Sequence, residues 1–402
     1  MATVRKRGNS YQIRVSMGCD ADGKQIIRTK TWRPESGMTK RQIDNEINRQ
    51  IVLFEEECYN GGVCSDIKFK DFAEQWFSEY AAIRLKPKSI DGYRWMSKRI
   101  YSEIGNLGMQ KITPRHLQKL IVDMTNEPRH DNKRLRNGKL SAKTIKEHIS
   151  MISTIFDYAI KMQVVRDNPC RAVILPKPDK EKREVYTLEE VQKMLTLFNE
   201  EPRSHFKYVL FYTMAVYTGF RRGELLGLEW KDLDFDEHTV TVNRTSIYSQ
   251  TKGGTYTETP KTETSYRTLK LPDNVIDMLL RWKNLQNEEK SRLGNKWIET
   301  DRIFTRTNGL PMDGTAPGAF FKRFCERTGM RYVCNHSFRH FNASVLINNG
   351  VDVKTVQSCL GHSTPTTTLS IYCHSFQEAK IRAMDCVANA INNPKSSPLG
   401  GS

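Results

Sequence analysis

Three folding units in series are expected of this chain. They are a small α+β unit of three strands and one helix, an all-α helical bundle, and a mixed, mainly-α unit with a small antiparallel sheet. Three observations predict this. The 402 residues exceed what one ordinary core organises. The hydrophobic period near the N-terminus is that of strands and then changes to that of helices. A proline- and charge-rich run, ILPKPDKEKREVY, then interrupts the pattern before a fresh helix start. The boundaries fall at 1–64, 65–168, a linker at 169–184, and 185–375, followed by a C-terminal helix at 376–392 and a polar tail at 393–402.

In SYQIRVSM, Tyr11, Ile13 and Val15 alternate with Gln12 and Arg14, as a half-buried strand requires. CDADGK reads as a turn and QIIRTKTW as the next strand. Thr39 is placed to cap a helix whose apolar stripe is Ile43, Ile47, Ile51 and Phe54. Four helical stretches then follow between about 66 and 166. Thr113-Pro114 is a cap followed by a first-position proline, and Ser141 is placed to cap the last helix. In the third unit TLEE, Thr187 to Glu190, is a capping box. KYVLFYTMAVYTG is apolar all round and therefore a buried helix. TVTVNRTSIY and SYRTLKLP read as two strands joined through QTKGGTYTETPKT. The tail NPKSSPLGGS has the composition of a disordered segment.

No apolar run approaches the ~20 residues that span a bilayer, and the basic N-terminus lacks the apolar core of a signal peptide. Nine cysteines without framework spacing fit a reducing cytosol. The net charge of +17, from 63 basic and 46 acidic residues, calls for an anionic partner, with nucleic acid the first candidate. The first 33 residues hold eight Lys/Arg against two acids. A ribbon of this kind can present Arg5, Lys6, Arg7, Arg14, Arg28 and Lys30 to a DNA groove. The loop PRHDNKRLRNGK adds Lys133, Arg134 and Arg136, and Lys143 stands at the start of the next helix.

Four fragments of the third unit carry chemistry. TGFRRGEL sets Arg221 three residues before Glu224, one helix face apart, so the carboxylate can orient the guanidinium. An isolated pair of this type is commonly a surface ion pair, but this one directly follows a buried helix. Lys261 lies in PKTETSYRTLKLP, before a strand and near a hairpin tip. NHSFRH pairs His336 with Arg339, and LGHSTPTTTLSIYCH holds His362 and Tyr372. With Cys359 just ahead of it, the last stretch also admits a metal reading through Cys359, His362, Cys373 and His374. Adjacent residues on a helix diverge by about 100°, so Cys373 and His374 are badly placed to share one ion. No metal is expected.

Taken in order, Arg221 in TGxR, Lys261 on its hairpin, His336 and Arg339 in HxxR, His362 in LGH and Tyr372 resemble the tyrosine recombinases of the phage lambda integrase family. RKRGNSYQIRVSMG, GMTKRQ and PKTETSYRTLKL are most similar to the integrases of conjugative transposons of Gram-positive bacteria. The resemblance implies an arm DNA-binding domain, a core-binding helical domain and a catalytic domain. It also implies a site-specific recombinase that cuts and rejoins strands through a 3′-phosphotyrosine, to integrate and excise a mobile element. Tyr372 would be the nucleophile, His336 the base, Lys261 the acid for the leaving 5′ oxygen, and His362 a donor to a nonbridging oxygen. Arg221 and Arg339 would grip phosphate with forked donors, each typically worth ~2.7–4 kcal/mol, and Glu224 would support them. Phe220 stands where the family admits several apolar residues.

The same resemblance implies double-stranded DNA as substrate, a homotetramer on it, an excisionase or host DNA-bending protein as accessory, and no membrane, cofactor or ATP. The bacterial cytoplasm, at the nucleoid, is the expected location. A type IB-like topoisomerase, or a noncatalytic DNA-binding regulator, is the alternative. The stripe Ile381, Met384, Val387 and Ile391 makes the C-terminal helix a docking element, on its own domain or on a neighbour.

Overall fold

The computed structural model describes residues 2–19, 25–35, 37–59, 67–126, 140–178, 184–259 and 266–361. The chain divides into two compact units, Met1–Lys180 and Glu181–Ser402.

The first unit opens with an antiparallel sheet, β1 (Thr3–Arg7), β2 (Ser10–Cys19) and β3 (Gln25–Trp32), in that spatial order. Gly8, at φ +57°, supplies the left-handed turn between β1 and β2. Helix α1 (Lys40–Tyr59) brings Ile51, Phe54 and Cys58 against Ile13 and Val15 of β2. Thr39 starts α1 with a difference from the expected side-chain cap. Its amide and hydroxyl both donate to Gln42 Oε1, each at 2.9 Å.

The same unit contains a helical bundle. Helix α2 (Phe69–Trp76) continues through a π-helical turn, Phe77–Ala81, into α3 (Ala82–Arg84). Helices α4 (Pro87–Ile104), α5 (Pro114–Asn126) and α6 (Ala142–Lys161) complete it. Trp76, Phe69, Ile100 and Phe156 are among its fully buried side chains. Ser141 caps α6 by accepting from the Thr144 amide.

The second unit starts with α7 (Leu188–Phe198), opened by the Thr187/Glu190 capping box. Helix α8 (Phe206–Thr218) is buried on nearly every side and forms the spine of the core. It ends at Gly219, whose φ of +61° is a left-handed cap, and α9 (Arg222–Gly227) follows after two residues.

The β segment departs from the expected pair of strands. TVTVNRTSIY breaks at Asn243-Arg244 into β5 (Thr239–Val242) and β6 (Thr245–Ser249). Its connector carries a further strand, β7 (Gly254–Glu258), which pairs with β6 as a separate hairpin. β4 (Leu233–Asp234), β5 and β8 (Arg267–Lys270) form the other sheet, in that order. The break has a physical cause, because Asn243 donates to Asp232 at 2.9 Å and Arg244 pairs with the same buried carboxylate.

Among the described residues four more helices follow, α10 (Asp273–Leu293), α11 (Ala316–Thr328), α12 (His336–Asn348) and α13 (Val353–Leu360). Asp352 caps α13, accepting from the amides of Lys354 and Thr355. The expected fold class therefore holds, with the sheet region divided more finely. Among the described residues no helix is long and apolar enough to cross a membrane. The expected C-terminal helix and tail lie outside the described residues.

Candidate functional site: a guanidinium cluster at the end of the buried helix

The site is organised by the way α8 ends. The last carbonyls of a helix have no partner within it and must find one elsewhere. Asn342 of α12 donates to the carbonyls of Val216 and Tyr217, both at 3.0 Å. Arg339, one turn earlier on α12, donates to the Gly219 carbonyl at 3.0 Å. Two side chains three residues apart thus stitch α12 to the end of α8. This fixes Arg339 beside the turn that delivers Arg221.

Arg221 stands just ahead of α9, at its N-cap, and is not within the helix as its spacing from Glu224 predicts. Glu224 reaches back from the third helical position, taking the Arg221 amide on Oε2 at 2.8 Å and Arg221 Nη1 on Oε1 at 2.6 Å. Nη2 of Arg221 donates to the Gly361 carbonyl at 2.7 Å, just past the end of α13. The pair is therefore not a surface ion pair, since the Glu224 side chain is 3% exposed and that of Arg221 is 38% exposed.

A third arginine, which the sequence reading passed over, completes the cluster. Arg267, the first residue of β8, gives Nη2 to Glu224 Oε2 at 2.7 Å and Nε to the Cys359 carbonyl at 2.6 Å. Its guanidinium lies 4.7 Å from the centre of the Phe220 ring. Burial alone would raise the Glu224 carboxyl. The hydrogen bond and charge of Arg267, with the charge and amide of Arg221, more than offset this and hold it below its usual range. Burial, with repulsion from Arg221, draws Arg339 down to about 9, which leaves it charged at neutral pH.

His336 is the first residue of α12 and is exposed, whereas Arg339 is buried. The His336 ring meets His340 edge-on, with centroids 4.8 Å apart and planes at 89°. The structure thus gathers Arg221, Glu224 and Arg339 of the expected set around the end of α8 and adds Arg267. Lys261, His362 and Tyr372 lie outside the described residues, as do three of the four residues of the metal reading. Among the described residues no group of three or more His, Cys, Asp or Glu could hold a metal ion. The arrangement sets two forked cations at one turn, each tied to a backbone carbonyl, a geometry suited to an anion with paired oxygens.

The N-terminal cations divide by strand parity. Arg5 faces Gln12, Arg7 faces Ser10, and Arg14 faces both Thr3 and Thr29, so the three arginines share the face away from α1. Lys6, Arg28 and Lys30 pair with Tyr11, Val15 and Ile13, which puts them on the helix side. Lys30 Nζ lies 5.7 Å from the Phe54 ring centre. Lys143, in the first turn of α6, is 84% exposed with Glu147 at 3.9 Å. Lys133, Arg134 and Arg136 lie outside the described residues.

Residues 184–379 match the sequence model of the Phage integrase family, and residues 68–124 match that of the Phage integrase, N-terminal SAM-like domain. A tyrosine recombinase XerC-like protein of Caldanaerobacter subterraneus subsp. tengcongensis is 30% identical over 95% of this chain and 96% of its own length. The ICEBs1 integrase of Bacillus subtilis is 27% identical over 94% of this chain and 96% of its own. In three dimensions the chain superimposes on the Tn1549 transposon integrase, solved in complex with a circular intermediate DNA. The TM-score is 0.62 and the identity 21%, over 78% of this chain and 98% of that one. With relatedness running nearly end to end, the chain belongs to the tyrosine recombinases of the phage integrase family.

Proposed function

We propose that this recombinase integrates and excises a mobile element by cutting and rejoining double-stranded DNA through a 3′-phosphotyrosine at Tyr372. The observation that carries the reading is the cluster around Glu224, where the Arg221 and Arg339 guanidiniums are fixed at one turn by the Glu224 carboxylate and the Gly219 carbonyl. A phosphodiester in transition gathers negative charge on its nonbridging oxygens, and preorganised forked donors meet that charge without reorganising. Tyr372 Oη attacks the phosphorus and gives its proton to His336. The P–O5′ bond breaks, and Lys261 protonates the departing 5′ oxygen, which leaves as a hydroxyl. His362 donates to a nonbridging oxygen. The new phosphodiester conserves the energy of the old one, so rejoining needs no ATP, and the cations do the work a metal would otherwise do.

Relatives named as integrases, and a transposon integrase captured on circular intermediate DNA, support the mobile-element reading. Exchange between two duplexes requires four cleavages, hence four protomers on the DNA. The segment 376–392, with its stripe of Ile381, Met384, Val387 and Ile391, is the one suited by sequence to hold neighbours together. An excisionase or host bending protein would set direction, and the enzyme would act at the nucleoid.

The test uses a nicked suicide duplex drawn from the DNA flanking this protein's own gene. It is incubated with the full chain in EDTA and denatured in SDS. A protein–DNA band from the native chain that Tyr372→Phe abolishes, by more than about a thousandfold, with noncovalent binding retained, is the expected result. Binding without a band in either protein would overturn the reading in favour of a DNA-binding regulator. Relaxation of supercoiled DNA without any strand exchange between duplexes would favour a topoisomerase.

A further inference from the structure

The arginine of β8 has no assigned part in the chemistry above, yet it is among the most constrained side chains near the cluster. Arg267 is 9% exposed and is held through two of its nitrogens and one face. Nη2 meets Glu224 at 2.7 Å, Nε meets the Cys359 carbonyl at 2.6 Å, and the Phe220 ring lies 4.7 Å from the guanidinium carbon. A buried arginine is costly to desolvate, and packing alone would be served as well by an apolar residue of the same volume. Its placement points to electrostatics and geometry.

Consider Glu224 without it. The carboxylate would face Arg221 alone, and a full ion pair would cancel most of the positive charge that Arg221 offers to a phosphate. With Arg267 in place, one carboxylate is shared between two guanidiniums through separate oxygens. Arg221 is then oriented by Oε1 while Arg267 balances the charge through Oε2. The second hold adds register. Arg267 grips the carbonyl of Cys359 and Arg221 grips that of Gly361, so the end of α13 is fixed against the start of α9 from two sides. The residue after Gly361 is His362.

We infer that Arg267 is a positioning residue for strand cleavage. It neutralises Glu224 so that Arg221 keeps its charge for the scissile phosphate, and it holds the end of α13 in register with α9. This rests on the recombinase reading above, in which Arg221 meets phosphate. Arg267 itself does not touch DNA.

The experiment measures covalent-complex formation on the nicked duplex for the full chain, with DNA affinity measured in a Tyr372→Phe background and Tm for each variant. Arg267→Met should slow covalent-complex formation by about a hundredfold while affinity changes by no more than about threefold, because most phosphate contacts lie elsewhere. Arg267→Lys, which keeps the charge but not the fork, should recover part of the rate. Adding Glu224→Gln to Arg267→Met removes the unbalanced carboxylate and should raise the rate at least about tenfold above Arg267→Met alone.

An unchanged rate in Arg267→Met overturns the inference. So does a rate loss matched by an equal loss of affinity or of folded protein, or a double variant no faster than the single. If Arg221→Ala leaves the native rate intact, or the native chain forms no covalent complex, the recombinase reading itself fails, and that result is distinct from any of these.

Discussion

Glu224→Ala is the substitution through which the cluster can be weighed as a unit. The side chain is 3% exposed and accepts the Arg221 amide, Arg221 Nη1 and Arg267 Nη2 within 2.6–2.8 Å. Removing one partner from a buried ion pair leaves the other charge uncompensated, which typically costs about 3–5 kcal/mol. Most of the loss falls on Arg267, whose side chain is 5% exposed. The share from Arg221 is screened, because that side chain is 38% exposed. For a unit of this size each kcal/mol moves Tm by roughly 2–4 °C, so the second unit should melt ~6–20 °C earlier in calorimetry of the full chain. The first unit should melt unchanged.

Acid provides an internal check on the same residue. The Glu224 carboxyl is held below its ordinary value of 4.5 in the fold. Its contribution is therefore complete above that value and is lost as pH falls through the lower, folded-state pKa. Glu224→Gln should accordingly lose less Tm than the native chain between neutral pH and the acid range below 4.5. A Tm for Glu224→Ala within about 2 °C of native at neutral pH would refute the view that this carboxylate is a structural keystone.

Two further outcomes follow from the geometry. Arg5→Ala and Arg14→Ala, on the sheet face away from α1, should each weaken DNA binding by the full chain and flatten its salt dependence by about one unit of log–log slope. Lys30→Ala, whose ammonium lies over Phe54, should flatten it far less. Anisotropy titrations across a salt series measure this, and an equal flattening by Lys30→Ala would contradict the division of the two faces. Gly219→Ala places a Cβ in a left-handed turn at φ +61°, 2.6 Å from Leu360 Cδ2 and 3.1 Å from Asn342 Oδ1. The left-handed backbone alone costs roughly 1–2 kcal/mol, visible as a lower Tm. Covalent-complex formation should fall as well, because the displaced carbonyl is the one that holds Arg339.

What was legible in the sequence depended on how local its signal was. The buried helix α8 announced itself by apolarity all round, and Thr187/Glu190 by a spacing of three residues. Ile13 and Val15 gave the inward face of β2 by parity. Arg267 was not legible in the same way, because its partners Glu224 and Cys359 are 43 and 92 residues distant. One signal existed. In Arg267-Thr268-Leu269-Lys270-Leu271 the arginine falls on the parity of the two leucines, and a charge on the apolar side of a strand needs a buried partner. β7 was missed because Gly253-Gly254 and the threonines around it have loop composition, although Thr255, Tyr256 and Thr257 alternate as a strand does. The position of Arg221 ahead of α9 was missed because the three-residue spacing fits a cap and its third helical residue as well as two residues within a helix.

The guanidiniums are anchored in a way that answers a problem any phosphate-cleaving pocket must solve. Arginines must be held still, and the strongest anchors, carboxylates, also cancel their charge. Here one carboxylate serves two arginines, while the carbonyls of Gly219, Cys359 and Gly361 take a hydrogen bond each from Arg339, Arg267 and Arg221. A carbonyl is a dipole with no net charge, so it fixes a donor without removing the cation's longer-range field. Among the described residues, three guanidiniums gather about one carboxylate. Two of the three carbonyls lie at helix ends, on the left-handed residues Gly219 and Gly361 that close α8 and α13. A helix end turned left-handed by glycine therefore does two jobs at once, stopping the helix and presenting an acceptor that costs the site no charge.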